Sequence, residues 1–260
     1  MARVIAVTNQ KGGVGKTTTA VNLAACLAVA EKRTVLVDMD PQGNATSGLG
    51  VSLRGPGPYI YEVLMGKAKA SEALCPTPIP SLEILPSNSS LLGAEIELIQ
   101  AEHRERRLKD ALEELLADYT YILVDCPPSL GLLTLNALMA AESTLIPLQC
   151  EYYALEGLTH LLTTLRLIRR SFNPGLAIEG VVFTMYDSRL TLSRQVVEDV
   201  RRNFPGRVFK TLIPRSIRLS EAPSFGKPIV MYDIRSAGAA AYLNLAKEVI
   251  YGTTGAWSGA

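Results

Sequence analysis

Short apolar segments that are rich in β-branched residues recur along the chain, and helical patterns follow most of them. Because these segments are continuously apolar, they are typical of strands that are buried on both faces of a sheet. Their alternation with helices predicts an α/β fold: a single domain with a mostly parallel, twisted sheet of about seven to eight strands and helices on both faces. The predicted strands lie at residues 3–8, 34–38, 82–87, 121–126, 144–149, 177–185, 208–214 and 229–232.

The residues between these strands predict helices, a loop and a tail. Residues 154–172 and 237–252 place apolar side chains at three- and four-residue spacings, which is typical of amphipathic helices. The Gly/Pro-rich residues 52–59 predict a surface loop and not a domain boundary, since strands resume beyond them at the same rhythm. The small and polar residues 252–260 predict a flexible C-terminal tail, which leaves residues 1–251 as the folded domain.

Composition and charge exclude several classes of protein. The chain has 260 residues, 48% of them hydrophobic, and a net charge of +1, so it can bury a core and is not a strongly basic DNA coat protein. No segment approaches the roughly 18 apolar residues of a membrane span, and Met1 leads straight into the first strand, so we expect a cytoplasmic protein without a membrane partner. The cysteines lack C-x-x-C spacing and are expected to be reduced and mostly buried: Cys26, Cys75, Cys126 and Cys150.

A glycine-rich loop separates the first predicted strand from a helix predicted over residues 17–31. In this order of strand, loop and helix, the loop N–H groups and the positive end of the helix point at the same anion. Lys16 would reach the β- and γ-phosphates of a nucleotide, and the Thr17 hydroxyl would be a ligand of Mg²⁺. A glycine-rich turn that binds nothing is the alternative. The predicted nucleotide-binding residues are Gln10, Lys11, Gly12, Gly13, Val14, Gly15, Lys16, Thr17 and Thr18.

Three aspartates end predicted strands. Asp125 stands where a carboxylate can hold a magnesium-bound water at the carboxyl edge of the sheet. Asp38 and Asp40 precede a loop of glycine and small polar residues that could sense the γ-phosphate. A single aspartate at a strand end is often a helix cap or a turn residue. All three together with the glycine loop favour a site for ATP and Mg²⁺.

Five segments carry a family resemblance, and they read KGGVGKTT, DMDPQGNATSGLG, DCPPSLGLLTLNAL, QCEYYALEGL and IPRSIRLSEAPSFGKPI. Over residues 2–251 the chain resembles the ParA/Soj chromosome-partitioning ATPases, P-loop NTPases of the deviant Walker A group. The resemblance implies an ATPase that forms a homodimer with two ATP molecules between the subunits. It also implies that Pro214 and Ser216 lie in the loop that reads adenine, where many relatives place Asn at the position of Ser216.

The loop has a second lysine, Lys11, beside the usual Lys16. Two facing triphosphates repel each other, and a lysine about 4 Å from a phosphate charge gains on the order of 4 kcal/mol at an effective dielectric of 20 before desolvation. We therefore expect Lys16 to bind phosphate in its own subunit and Lys11 to stabilise phosphate in the partner; a solvated loop lysine is the alternative. Asp40 is expected to position the attacking water.

The remaining roles at this site concern magnesium and the rate of the reaction. Thr17 and Asp125 are expected to hold magnesium, directly or through water, with Asp38 supporting its water shell or the loop geometry. No Gln or Arg is plainly committed to the reaction, so slow intrinsic turnover that outside factors stimulate is expected.

Positive charge is concentrated in residues 186–235, which hold ten Lys/Arg and five Asp/Glu. By itself, such an excess of positive residues usually indicates only a solvent-exposed face. The resemblance implies DNA contacts at Arg189 and Arg218, to which we add Arg215 and Lys227. Because the chain has neither a helix-turn-helix ahead of the loop nor zinc-finger spacing, nonspecific binding to double-stranded DNA by the ATP dimer is expected.

The resemblance also implies partners. A ParB/Spo0J-like centromere-binding protein with a short basic N-terminal segment would stimulate hydrolysis, and the protein would be cytoplasmic and associated with the nucleoid. A replication initiator is a further partner that the resemblance leaves open.

Three other functions use a similar core. A MinD-like regulator of the cell-division site needs a terminal basic amphipathic helix, and residues 251–260 have no Lys or Arg. An iron–sulfur reductase would need paired cysteines at a dimer axis, for which Cys126 and Cys150 are the candidates. A metabolic P-loop ligase would need a substrate pocket. His103 and His160 have no metal-ligand spacing, and we assign both to structure.

Overall fold

The computed structural model describes residues 1–53 and 57–252, and a single sheet lies at its centre. The strands of this sheet are β1 (Arg3–Val7), β2 (Thr34–Asp38), β3 (Cys75–Pro76), β4 (Leu82–Leu85), β5 (Tyr121–Asp125), β6 (Ser143–Gln149), β7 (Ala177–Tyr186) and β8 (Val208–Pro214). Their order across the sheet is β3-β4-β2-β5-β1-β6-β7-β8. Neighbouring strands are parallel except for β3, which is antiparallel to β4. The predicted mostly parallel sheet is confirmed.

Helices cover both faces of the sheet, as predicted. In β1, Val4 and Ala6 belong to one hydrophobic cluster, while Ile5 and Val7 belong to a second cluster on the opposite face. This alternation explains the continuously apolar strands, because both faces of the sheet are buried. The helices are α1 (Lys16–Val29), α2 (Asn44–Gly48), α3 (Ile60–Leu64), α4 (Ala70–Ala73), α5 (Leu91–Glu97), α6 (Arg107–Leu112), α7 (Leu132–Ala140), α8 (Ala154–Ser171), α9 (Thr191–Asn203), α10 (Ile217–Glu221), α11 (Ile229–Tyr232) and α12 (Ala237–Tyr251), with 3₁₀ turns at Leu98–Gln100, Glu113–Leu115 and Ala222–Phe225.

One predicted strand is wrong. Residues 229–232 form the helical turn α11, in which the Met231 amide donates to the carbonyl of Pro228 at 2.9 Å. Proline fixes φ near the helical value, and its position before α11 suits a helix start. The Ile229 amide is bound by the Asn22 side chain at 2.6 Å, so a contact from α1 and not a neighbouring strand satisfies this segment. The eighth strand is instead the short edge strand β3.

Parts of two predictions lie outside the described residues. Residues 54–56 of the predicted loop 52–59 and residues 253–260 of the predicted tail belong to this group. The helix α12 ends at Tyr251, and the domain boundary there stays a prediction. In the part of the chain that the structure describes, no helix has both the length and the apolar character that crossing a bilayer requires.

All four cysteines are free thiols, as predicted. Three of them are buried, and Cys75 is part-buried. Cys126 and Cys150 lie in the core, where burial raises the pKa of both thiols, that of Cys150 to about 12. The raised pKa values disfavour the thiolate form in which cysteines bind an iron–sulfur cluster, which counts against this alternative.

A buried ion network closes the amino edge of the sheet. Glu179 in β7 is fully buried and accepts hydrogen bonds from Arg3 at 2.8 Å and from the Ser143 hydroxyl at 2.9 Å. An Nη atom of Arg207 lies 3.5 Å from its other oxygen. The same two arginines donate to carbonyl groups near the end of α12. Glu179 therefore connects the sheet to the last helix.

Replacing Glu179 should destabilise the protein strongly. Glu179→Ala leaves two part-buried guanidinium groups without their counter-charge, and we expect the free energy of unfolding to fall by about 3 kcal/mol. Denaturant unfolding measures this change. Asp110→Ala, which removes an exposed i,i+4 pair with Arg106, should cost no more than about 0.5 kcal/mol. Equal effects of the two substitutions would contradict the expectation.

Candidate functional site

The glycine loop between β1 and α1 has the backbone that an anion cradle needs. Gly13 and Gly15 have φ values of 74° and 85°, a left-handed conformation that favours glycine. A Cβ atom built on Gly12 or Gly13 would meet nothing within 4 Å, so the space over the loop is open. The loop leads into the N-terminus of the 14-residue helix α1. Backbone N–H groups and the helix end can therefore bind a phosphate from one side.

Side chains outside the motif hold this loop in place. Asn9 donates to the Pro147 carbonyl at 2.8 Å and accepts from the Lys11 amide at 3.0 Å. Gln10, which stands where many phosphate loops have glycine, donates to the Thr164 hydroxyl on α8 at 3.1 Å. This contact explains why glutamine can stand at this position, because its side chain attaches the loop to α8.

The other half of the loop is fixed from β7. The Thr184 hydroxyl donates to the Val14 carbonyl at 2.8 Å, and its methyl group lies where a side chain at Gly15 would pack. Sequence reasoning missed Asn9, Thr164 and Thr184, because their contacts join segments that are far apart in the chain.

The two loop lysines occupy different environments. Lys16 is only 7% exposed, and its ammonium group donates to the Lys11 carbonyl at 3.0 Å. Burial lowers the Lys16 pKa, while the charges of Asp125 and Asp40 act in the opposite direction. The Lys11 side chain is 46% exposed, and its ammonium group pairs with Glu151 in the turn before α8. Lys16 thus lies over its own loop, and Lys11 lies on the outer surface.

Asp125 is a buried carboxylate at the carboxyl edge of the sheet. It ends β5 and is completely buried, and neither of its oxygens has a partner within the described residues. Burial, reinforced by the neighbouring charge of Asp38, raises its pKa well above the usual range, while the Thr17 hydroxyl and Lys16 oppose this shift. An unpaired buried carboxylate is unfavourable, and a cation is the partner that would relieve it.

The donor set at this edge fits Mg²⁺. Asp125 and Thr17 provide oxygen atoms, the ligand type that Mg²⁺ prefers, and a bound nucleotide would add phosphate oxygens. Within residues 1–53 and 57–252, no group of three or more His, Cys, Asp or Glu side chains could hold a metal ion. A site of this kind therefore depends on the nucleotide and on very few protein ligands.

Asp38 and Asp40 differ in the number of hydrogen bonds that their carboxylates accept from the protein. Asp38 is the register partner of Asp125 across β2 and β5. It accepts hydrogen bonds from the Thr46 amide and hydroxyl at 2.8 and 2.7 Å and from the Asp40 amide at 3.2 Å, and burial raises its pKa to about 6. Asp40 is 8% exposed and accepts from the Gln42 amide at 2.9 Å. Asp38 therefore organises the loop that carries Asp40.

A cavity of about 250 Å³ adjoins the phosphate loop. Pro214 and Ser216, predicted on the adenine side, line it together with Gly15 and Thr18 of the loop. Apolar walls with a few polar groups suit an aromatic base. The side chain of Tyr242 on α12 also lines this cavity, a contact that no local pattern of the sequence indicates.

The four predicted DNA-binding residues lie beyond the carboxyl ends of two strands. Arg189 follows β7, and Arg215, Arg218 and Lys227 follow β8. Arg189 is 86% exposed and bound to Asp187, and Arg218 is 57% exposed with Glu221 and Asp233 as ion partners. Arg215 lines the first cavity, while Lys227 lines a second one of about 260 Å³ that also contains Thr17. The surface is therefore less uniformly positive than the residue count of this segment indicates.

The unpaired carboxylate predicts a pH effect in the absence of nucleotide and Mg²⁺. Folding raises the Asp125 pKa above the value of about 3.9 in an unfolded chain, so the stability it contributes is present at low pH and lost as the pH rises. We expect the free energy of unfolding of the parent, minus that of Asp125→Asn, to fall as the pH rises above about 4.

Asp187→Asn is the matched control for this measurement. Hydrogen bonds from Arg189 lower the Asp187 pKa to about 2, so its contribution is complete above about pH 5 and the same difference then stays flat as the pH rises further. Denaturant unfolding at several pH values measures both differences. A flat line for Asp125→Asn would contradict the assignment of a buried, unpaired charge.

Comparisons with known proteins identify the family of the chain. Residues 2–178 match the family model of an AAA domain. The chain is 56% identical over 250 residues to the chromosome partitioning protein ParA of Myxococcus xanthus, which covers 96% of this chain and 88% of that protein. It is also 56% identical over 249 residues to the sporulation initiation inhibitor protein Soj of Bacillus subtilis, at 96% of this chain and 98% of Soj.

A solved structure of similar fold contains a nucleotide. The cobyrinic acid a,c-diamide synthase from Mycobacterium smegmatis with bound ADP and magnesium has a TM-score of 0.84 and 40% identity, over 96% of this chain and 94% of that chain. The fold is that of a P-loop ATPase, and the 56% identity to ParA and Soj extends over 96% of the chain. The chain therefore belongs to the ParA/Soj family of chromosome-partitioning ATPases.

Proposed function

We propose that the protein segregates a chromosome or plasmid as an ATP-switched dimer. The ATP dimer binds DNA nonspecifically, and hydrolysis returns it to the monomer. The observation that carries this proposal is that the two loop lysines have different environments. Lys16 is buried over its own loop, whereas Lys11 is half-exposed on the surface. The names of the two relatives at 56% identity support partitioning over the diamide synthesis for which the 40% identical protein is named.

Residues 1–251 form the ATPase domain in this proposal, and the glycine loop with the cavity beside it binds ATP. Thr17 and Asp125 hold Mg²⁺, directly or through water, and Asp38 supports them from the neighbouring strand. When bound, Mg²⁺ neutralises charge on the β- and γ-phosphate oxygens. Asp40 orients the attacking water. The ADP and magnesium in the related structure support this cofactor pair.

Dimerisation requires Lys11 to exchange one anion for another. Its ion pair with Glu151 is about half-exposed on both sides, and pairs of this kind contribute about 0–1 kcal/mol. A phosphate of the partner's ATP about 4 Å away attracts the same ammonium group with on the order of 4 kcal/mol at an effective dielectric of 20, before the cost of desolvation is subtracted. The exchange therefore favours the dimer only when ATP is present.

An apolar surface next to this pair supports an interface at the same place. Tyr152 and Tyr153 are 76% and 65% exposed, and both follow Glu151 directly in the chain. Exposed aromatic side chains are common in protein interfaces. Burying them would add an apolar contribution to the electrostatic switch.

DNA binding in this proposal depends on the number of phosphates that are contacted. Arg189 and Arg218 each have acidic partners, so one subunit presents a weak positive field. Two subunits double the contacts, and the affinity rises steeply with that number. Nonspecific binding to double-stranded DNA would hold the dimer on the nucleoid in the cytoplasm.

A partner protein controls the return to the monomer. Turnover is slow in the isolated protein, and a ParB/Spo0J-like centromere-binding protein stimulates it. The basic N-terminal segment of that partner engages the ATP dimer. A replication initiator remains a further candidate partner.

Lys11→Ala tests the switch. The variant should bind ATP with a dissociation constant within about threefold of the parent, because Lys16 and the loop amides remain. Its ATP-dependent dimerisation should weaken by at least about a hundredfold. Analytical ultracentrifugation with ATP, with ADP and without nucleotide measures the dimer, and DNA binding is followed in the same three conditions.

Lys16→Ala is the control, and it should lose tight ATP binding and dimerisation together. A Lys11→Ala protein that dimerises normally with ATP would contradict the switch. DNA binding by a monomer without ATP would contradict the proposed function.

Arg218→Ala tests the DNA surface. Removing one phosphate contact per subunit should lower the steepness of the salt dependence by about 0.9 per protomer and leave ATP-driven dimerisation intact. Binding to duplexes of unrelated sequence at several salt concentrations measures the slope. Arg106→Ala, which removes an exposed arginine outside residues 186–235, should change neither quantity, and an unchanged slope for Arg218→Ala would exclude this residue from the DNA surface.

A further inference from the structure

A buried threonine joins the Asp38 carboxylate to the end of a neighbouring strand. Thr46 on α2 is 3% exposed, and both its amide and its hydroxyl donate to one oxygen of Asp38, at 2.8 and 2.7 Å. The same hydroxyl oxygen accepts the amide of Ser87, which follows β4, at 3.0 Å. A hydroxyl has one proton and two acceptor positions, so the Thr46 hydroxyl is used in both directions.

These contacts fix the loop that carries Asp40. The second oxygen of Asp38 accepts the Asp40 amide at 3.2 Å, so both Asp38 oxygens are bound within this loop. Gly43 has a φ of 63°, and a Cβ atom there would lie 2.9 Å from the Ser87 carbonyl oxygen. The loop from Asp40 to Thr46 thus packs directly against the Ser87 backbone.

The orientation of Asp38 matters because of its neighbour. Asp125 is its register partner and has no hydrogen-bond partner in the described residues. A buried carboxylate that loses donors must find others or lose its charge. While Thr46 and the Asp40 amide bind its oxygens, Asp38 keeps one orientation beside Asp125.

We propose that the Thr46 hydroxyl is a positioning group for ATP hydrolysis, which acts by orienting Asp38 and by fastening the Asp40 loop to Ser87. Thr46 itself contacts neither nucleotide nor magnesium in this role. The inference rests on the proposed function for its assignment of Asp38, Asp40 and Asp125. It adds a determinant of the reaction that lies outside the phosphate loop and the three aspartates.

Thr46→Val is the test, since valine has nearly the same shape and no hydroxyl. A hydrogen bond to a charged group is lost, so kcat should fall about tenfold or more, while the KM for ATP at saturating Mg²⁺ stays within about twofold. The Mg²⁺ concentration for half-maximal activity should rise several-fold. In the nucleotide-free protein, hydrogen exchange of the Ser87 amide should accelerate about tenfold or more, because it loses its acceptor.

Two variants separate positioning from a loss of stability. Thr46→Ser keeps the hydroxyl and should restore kcat, the Mg²⁺ dependence and the slow exchange of Ser87. Thr144→Val removes another buried hydroxyl, which donates to the Ala6 carbonyl at 3.2 Å, and should leave kcat and the Mg²⁺ dependence unchanged.

The outcomes distinguish this inference from the proposed function. If the parent hydrolyses ATP, Lys16→Ala abolishes the activity and Thr46→Val behaves like the parent, the inference alone is overturned. It is also overturned if Thr46→Ser loses as much kcat as Thr46→Val, or if Ser87 exchange is unchanged in Thr46→Val. A parent without hydrolysis that depends on Lys16 would overturn the proposed function and the inference together.

Discussion

An unpaired carboxylate in the middle of a sheet is the constraint on which the rest of this site depends. Asp125 is fully buried at the end of β5, between β1 and β2, and no donor in the described structure binds its oxygens. Parallel strands bring their carboxyl ends to one edge, so the glycine loop after β1, Asp38 at the end of β2 and Asp40 just beyond it lie at the same edge as Asp125. The protein therefore keeps a carboxyl group without a hydrogen-bond partner in the described structure at a place where a cation and a nucleotide can bind it. Burial that would be a defect elsewhere becomes a source of affinity at this position.

Much of the fold could be predicted from the sequence, because the relevant signals are local. Continuous apolar runs predict buried parallel strands, and the glycine loop followed by Lys-Thr predicts a strand–loop–helix unit. The strand predicted at residues 229–232 is wrong because the prediction used only local composition. Apolar, β-branched content cannot reveal that the side chain of the distant Asn22 binds the amide of Ile229. β3 has only two residues, too few for any pattern.

The candidate site could likewise be predicted only in part. Its glycines, lysines and aspartates follow from local motifs, whereas the side chains that hold them do not. Gln10 reaches Thr164, and Thr46 reaches Ser87, across 154 and 41 positions of the chain. A count of charges over residues 186–235 likewise could not show that Arg189 and Arg218 have acidic partners. Pairing lowers the field of such a surface and makes its binding more dependent on the number of subunits.

The ion pair between Lys11 and Glu151 has a kinetic consequence. Because the two charges neutralise each other, the pair itself adds little field beyond a few ångströms, and in the proposed dimer it neither attracts nor repels nucleotide-free monomers from a distance. Encounter of nucleotide-free monomers at this surface would then proceed at the ordinary rate of unsteered diffusion, with little response to ionic strength. The nucleotide would instead determine how long each encounter lasts, so that the lifetime of the assembled pair, and not its rate of formation, reports whether ATP is bound.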